Sequence, residues 1–376
     1  MEQRDARQTD AALWRSLPGE DRVAQALRAL YESLGYRRYR AASFESYDFY
    51  LENKSFVECE AVLPFTDASG RLLALKPDVT MSIVKRTRPD MESERLYYVE
   101  QVFRARRHGE GWRELGQMGV EFIGASTAYA QAEVVMLAAR SLAAIGPDWT
   151  LSLGHTGLAA GLLAAAGATE AQRAAALDAL RHKNAPALEA LLPGGAGRDL
   201  AALAHLDGTP ARVLEQAAPL CKTAEMKAAL AELESLSGLL RQEGFGGNVQ
   251  LDLSMSNDLD YYTGLVLQGC LRSAAQPVLA GGRYDGLMRR CGKPQAALGF
   301  ALDLNEVERA CAAPRPWDVD AVLLYDPKDD PALVLAAVRC LAAQGTVRAE
   351  TALPAGVRAG KVLRLLQSGE TEVIPC

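Results

Sequence analysis

Tyr97-Tyr98-Val99-Glu100-Gln101-Val102-Phe103-Arg104 and, after a polar loop at 106–113, Gln117-Met118-Gly119-Val120-Glu121-Phe122-Ile123-Gly124 are the stretches on which the fold turns. Residues 95–103 alternate as a strand, and 115–123 read as its antiparallel partner. Successive side chains on a strand point to opposite faces. Gln117, Gly119 and Glu121 therefore share one face, Met118 and Val120 the other, and the glycine leaves room between two polar groups.

Upstream, the three-and-four spacing of Val23, Leu27, Leu30 and Leu34 predicts an amphipathic helix, capped near Leu17-Pro18-Gly19-Glu20-Asp21 and ended by Gly35. Residues 36–75 carry short apolar runs and the turn Phe65-Thr66-Asp67-Ala68-Ser69-Gly70, which predicts strands and a hairpin before a helix near 78–85. Downstream come an alanine-rich helix over 128–145 and a short strand over 149–153. Residues 156–245 continue as an almost wholly helical insertion, broken at Pro193-Gly194-Gly195 and Gly208-Thr209-Pro210. Strand character returns at 249–253, 263–270 and 277–280, and 297–311 reads as a strand running into a helix. The fold class is α+β with a mainly antiparallel sheet, not a doubly wound layout. Pro314-Arg315-Pro316 reads as a linker between a core of 1–313 and a small α/β unit, 317–376, with a strand over 319–325 and a helix over 330–344.

The bulk properties narrow the function. A chain of 376 residues, 49% hydrophobic and 23% charged, is globular and longer than one core usually serves. Its formal net charge of -6 gives no overall field toward a nucleic-acid backbone. The seven cysteines are scattered without a CxxC pair, so reduced thiols are expected and no metal site. The charged residues Glu2, Arg4, Asp5 and Asp10 leave no apolar leader, and no apolar run spans a bilayer; a cytoplasmic protein without a membrane partner is expected.

Three further segments carry chemistry: Leu75-Lys76-Pro77-Asp78-Val79-Thr80, Leu259-Asp260-Tyr261-Tyr262-Thr263-Gly264, and Ala280-Gly281-Gly282-Arg283-Tyr284-Asp285-Gly286-Leu287. Singly each has a plain reading: strand aromatics before a turn, a glycine bulge, surface carboxylates. Together with the hairpin, and in this order over 21–307, they resemble the core of the histidyl-type class II aminoacyl-tRNA synthetases, an antiparallel sheet flanked by helices with a helical insertion in the same place. The resemblance implies that Asp78 and Thr80 grip a substrate α-amino group, and that Arg104, Gln117 and Glu121 come from the second motif. By the same resemblance Tyr261 and Tyr262 belong to histidine recognition, with Gly281 and Gly282 in the strand behind. A carboxylate such as Glu121 and a phenol such as Tyr262 can bracket an imidazole and reject analogues that lack its second nitrogen.

The departures from that family bear on activity. Amino-acid activation builds charge on phosphates, which synthetases of this type stabilise with arginines. Where the family carries arginine two residues before Leu259, this chain has Asn257. Where the late motif ends in arginine, Asp303-Leu304-Asn305-Glu306 places Glu306, a carboxylate that repels a triphosphate. Gly111-Trp112-Arg113 also departs from the usual loop, and Arg104 remains. A histidine pocket without activation chemistry resembles the regulatory subunit of ATP phosphoribosyltransferase. That resemblance implies no catalytic residues, cofactor or metal of its own and no tRNA partner. It implies a short-form catalytic subunit as partner, histidine as effector, and a homodimer within a hetero-oligomer. The alternative is an active histidyl-tRNA synthetase or an aminoacyl-activating paralogue.

Overall fold

The apolar spacing of Val23, Leu27 and Leu30 gives α1 (Gly19–Ser33), and the chain turns away at Gly35, whose φ of +80° suits a residue without a Cβ. The structure is a computed structural model that describes residues 19–53, 62–105, 111–192, 195–255, 261–311 and 317–374. The expected cap before residue 19, most of the loop at 106–113, the turn at 193–194, Asn257, Leu259, Asp260 and the linker at 314–316 lie outside the described residues.

The described residues fall into two units, one running from Ala24 to Ala310, the other made by the residues from Cys311 onward together with those before Ala24. In the larger unit the strands are β1 (Arg37–Arg38), β2 (Phe44–Ser46), β3 (Pro64–Thr66), β4 (Leu72–Leu75), β5 (Glu94–Ala105), β6 (Trp112–Gly124), β7 (Trp149–His155), β8 (Asp207–Gly208), β9 (Val249–Asp252), β10 (Leu265–Leu271), β11 (Leu279–Arg283) and β12 (Ala296–Asp303). Nine of them form one sheet in the order β1-β5-β6-β12-β11-β10-β7-β9-β8, antiparallel except for the β1–β5 and β7–β9 pairs. The β5–β6 hairpin sets Tyr98 opposite Gly119 and Leu96 opposite Glu121. The expected hairpin at 65–70 is the β3–β4 pair of a separate three-stranded sheet, its turn held by Asp67 accepting from the Ser69 and Arg71 backbone N–H groups.

Helices α2 (Tyr47–Glu52) and α3 (Thr80–Arg86) precede the hairpin, and α4 (Ala128–Ile145) comes after it. Tyr31 of α1 meets Ser141 of α4 at 2.8 Å, and Tyr36 donates to Glu133 at 3.0 Å, so the polar tips of two buried tyrosines are satisfied by the same helix. The insertion contains α5 (Thr156–Ala165), α6 (Glu170–Arg181), α7 (Ala185–Leu191), α8 (Ala196–Ala204), α9 (Pro210–Ala217) and α10 (Ala224–Gln242). At the expected break near Gly208-Thr209-Pro210, Asp207 and Gly208 form a short strand, β8, which the sequence did not indicate and which pairs with β9 and ends the large sheet. Proline at the start of α9 and a Gly208 φ of +122° make this a turn in composition while the backbone still pairs. After β11 comes α11 (Asp285–Arg290), and β12 runs into α12 (Leu304–Cys311).

In the smaller unit, β13 (Val319–Leu324), α13 (Pro331–Ala342), β14 (Val347–Glu350), β15 (Ala359–Leu365) and β16 (Thr371–Ile374) form a sheet ordered β14-β13-β15-β16. The first three strands are parallel and β16 is antiparallel. Ala321, Leu323, Leu363 and Leu365 pack on Ala337 and Leu341 of α13. Among the described residues no helix is long and apolar enough to cross a membrane.

Candidate functional site

The motif residues meet at a cavity of about 440 Å³ over the middle of the large sheet, within the larger unit. Asp78, Thr80, Arg104, Gln117, Glu121, Tyr261, Tyr262 and Gly281 all line it. Gly282 does not, and that expectation is corrected: a Cβ there would stand 2.7 Å from the Tyr262 ring and 2.6 Å from the Leu265 carbonyl. Its bareness seats Tyr262 rather than a ligand.

Glu121 lies at the floor, 2% exposed. Thr80 Oγ1 reaches its Oε1 at 2.6 Å, and the Tyr284 hydroxyl reaches its Oε2 at 2.6 Å. The partners of Glu121 are thus Thr80 and Tyr284. Burial pushes the Glu121 carboxyl up to about 8, the two hydroxyls pull it down by less, and the neighbouring Asp78 adds to the rise. The space beside Gly119 is also not for a ligand, because the Tyr98 ring fills it: a Cβ on Gly119 would lie 2.6 Å from that ring and 2.4 Å from the Phe300 carbonyl. Gly299, opposite Glu121 in the β6–β12 register, is the glycine that leaves room for the carboxylate; its Cβ would fall 1.8 Å from Oε2.

Each wall is locally fixed. Lys76 is buried and pairs with Glu100 at 2.6 Å, while its carbonyl accepts from Phe103 N and the Pro77 carbonyl accepts from Arg104 Nε at 2.8 Å. These bonds strap the 76–78 segment to β5 and point Arg104 along the wall. Asp78 accepts from the Met81 backbone N–H at 2.7 Å, an N-terminal bond for α3, and desolvation raises its pKa against the pull of that N–H and of Arg104. On the opposite side Thr156 and Gly264 exchange two hydrogen bonds of 2.8 Å, which hold the turn after Tyr261 and Tyr262; the two rings meet edge-on at 4.7 Å. Tyr284 is set by its own N–H to the Ala297 carbonyl and by Asp285, which accepts from Ala297 N and pairs with Arg283.

The late motif also differs from expectation. Glu306 does not line the cavity and pairs with Arg309 one turn along α12. The carboxylate that stands in the wall is Asp303, whose Oδ1 accepts from the Asn305 and Glu306 N–H groups. Arg113, opposite Arg104 in the hairpin, is exposed, so Arg104 is the one cation in the wall among the described residues. Tyr98, Tyr284 and Asp303 were not singled out from the sequence. Only the strand register, which sets Tyr98 against Gly119, gives a signal for the first.

The family model for histidyl-tRNA synthetase matches residues 15–307. The ATP phosphoribosyltransferase regulatory subunit of Moorella thermoacetica is 33% identical over 86% of this chain and 86% of its own. The chain belongs to this histidyl-tRNA-synthetase-like family of ATP phosphoribosyltransferase regulatory subunits. A member structure from Bacillus halodurans, described as an ATP phosphoribosyltransferase regulatory subunit/histidyl-tRNA synthetase, superposes with a TM-score of 0.73 at 25% identity, covering 89% of this chain and 90% of that one. A chain of the ATP phosphoribosyl transferase complex of Thermotoga maritima shares the fold at a TM-score of 0.60 and 19% identity, covering 76% of this chain and 97% of that one. Among the described residues, three carboxyl groups, Asp78, Glu121 and Asp303, and one arginine, Arg104, line the pocket.

Proposed function

We propose that the chain is a non-catalytic regulatory subunit that binds free histidine in this pocket and conveys its occupancy to a short-form ATP phosphoribosyltransferase catalytic subunit. The observation that carries the reading is the charge of the wall. A site for activating an amino acid must hold the phosphates of ATP, and removing one cationic or hydrogen-bond donor of that kind costs several kcal/mol of transition-state stabilisation. Here, among the described residues, Arg104 is the one cation set against Asp78 and Asp303, with Glu121 beneath them. Such a wall suits an ammonium group and a hydrogen-bonding ring. Asp78 and Thr80 take the ammonium, Arg104 the carboxylate end, and Glu121 with the tyrosines the ring. Histidine offers all three, and the naming of the relatives supports a regulatory role.

By the same reading the chain forms a homodimer within a hetero-oligomer in the cytoplasm, requires no cofactor or metal, and has no tRNA partner. It raises the activity of the catalytic subunit and lowers it again when histidine is bound, which requires histidine to bind the inhibited complex more tightly than the active one. Pyrophosphate exchange into ATP with the purified chain and histidine should stay at the no-protein blank. Histidine-dependent exchange above the blank would return the chain to the synthetases.

A further inference from the structure

We propose that Glu121 is a carboxylic acid, not a carboxylate, in the ligand-free pocket, and that it presents its proton to the unprotonated nitrogen of a neutral azole ring. The inference rests on the histidine reading above and specifies which form of the ligand the site takes.

Among the described residues, no cation contacts Glu121 to keep it charged. From α3 and the residues before it come the Thr80 hydroxyl and the carboxylate of Asp78. From β5 come the Tyr98 ring and Arg104, whose Nε is bonded to the Pro77 carbonyl. β12 offers the bare backbone of Gly299, the end of β11 the Tyr284 hydroxyl, and the turn before β10 the phenols of Tyr261 and Tyr262. Gln117 is neutral, and Asp303 adds only negative charge to the wall. A carboxylate 2% exposed, touched by neutral hydroxyls and facing a second carboxylate, is more stable with a proton on it. Each contacting hydroxyl can give or take a hydrogen bond, so the acid form loses neither contact. A ring nitrogen with a free lone pair then completes the acid O–H, whereas an imidazolium would meet it donor to donor.

This sets the proton count. Between the ring's own pKa, roughly 6.5, and the Glu121 value of about 8, ligand and pocket together carry one proton and so does the complex; affinity is flat there. Below that window the ring must shed a proton to bind. Above it the pocket must take one up, and affinity falls about tenfold per pH unit. Glu121→Gln keeps an N–H donor in place of the acid O–H and cannot titrate.

The test is calorimetry of L-histidine with the full chain and with Glu121→Gln, at pH 7.2 and pH 9, each in two buffers of different ionisation enthalpy. The expected result is a wild-type proton uptake at pH 9 that exceeds the variant's by close to one proton per site and vanishes at pH 7.2. Subtracting the variant removes any proton taken up by the ligand's amino group. Wild-type affinity should drop about fivefold relative to the variant between pH 8 and pH 9, the start of the tenfold-per-unit limb. Binding without that excess proton overturns the proposal and leaves the histidine reading standing. Failure of both proteins to bind histidine overturns the histidine reading itself, and carboxyl NMR of the ligand-free wild-type chain then decides the acid: a Glu121 midpoint below about 5 sinks it independently.

Discussion

At the scale of single residues, Glu121 ties stability to pH in a direction unusual for a carboxylate. Its folded value, about 8, lies above the ordinary value of 4.5. The stability its proton confers is therefore full below pH 4.5 and lost as pH rises through 8. Across that interval the wild-type chain should lose up to about 1.4 kcal/mol per pH unit from this group. Glu121→Gln should lack that component, so its Tm should gain on the wild type from pH 5 to pH 8.5 in parallel thermal melts. A constant difference between the two would show that Glu121 does not titrate in that range. For the ligand, Glu121→Ala and Tyr262→Phe should both weaken histidine inhibition of the assembled enzyme while leaving assembly intact, read by inhibition curves and size-exclusion chromatography.

At the scale of elements, the pocket depends on glycines placed by strand register. Gly299→Ala would set a methyl against both the Glu121 carboxyl and the Val120 carbonyl, 1.8 and 2.4 Å away. Backbone on one side and a hydrogen-bonded carboxyl on the other leave nothing flexible to yield. Urea unfolding should show a loss of about 1–3 kcal/mol or more, with histidine binding abolished; wild-type stability would mean that the β6–β12 register differs. His155, at the junction of β7 and α5, accepts from Gly157 N, and burial with Arg283 nearby lowers its pKa to about 4. A cationic group with a lowered folded value contributes stability above about 6.5 that is lost as pH falls through 4, roughly 3 kcal/mol in all. His155→Asn should flatten the acid limb of the stability profile, and an unchanged limb would assign it to other groups.

The hairpin and the sheet class were legible because alternation fixes which face a strand side chain takes. Asp78, Thr80, Arg104, Tyr261, Tyr262 and Gly281, which line the cavity, were named only through the motif resemblance, and those of them at helix and turn positions carry no alternation. What the sequence hid is long-range. That Thr80 and Tyr284 claim Glu121, 41 and 163 residues away, depends on how three strands and a helix meet. That Glu306 turns to Arg309 while Asp303 faces the cavity depends on where β12 ends and α12 begins. β8 was hidden for a local reason, since two residues, Asp207 and Gly208, carry no periodicity and run into Thr209-Pro210. In the smaller unit, β14 alternates apolar with charged residues over only four positions and β16, Thr371-Glu372-Val373-Ile374, does not alternate, so period alone marks neither.

At the scale of the whole molecule, the proposed role is that of a synthetase-like core serving as a histidine-reading subunit. Its net charge of -6 gives no general pull toward nucleic acid, and on the proposed reading its acidic pocket wall disfavours phosphates while accepting an amino acid. The coupling between histidine and catalysis should amount to about 1–3 kcal/mol, the usual range for linked sites. The most direct measurement mixes the purified chain with a short-form ATP phosphoribosyltransferase catalytic subunit and tracks the rate against histidine concentration. The expected result is a complex by size-exclusion chromatography, a rate above that of the catalytic subunit alone, and inhibition by histidine that Glu121→Ala shifts to higher concentration. No complex, or a complex whose rate ignores histidine, would contradict it.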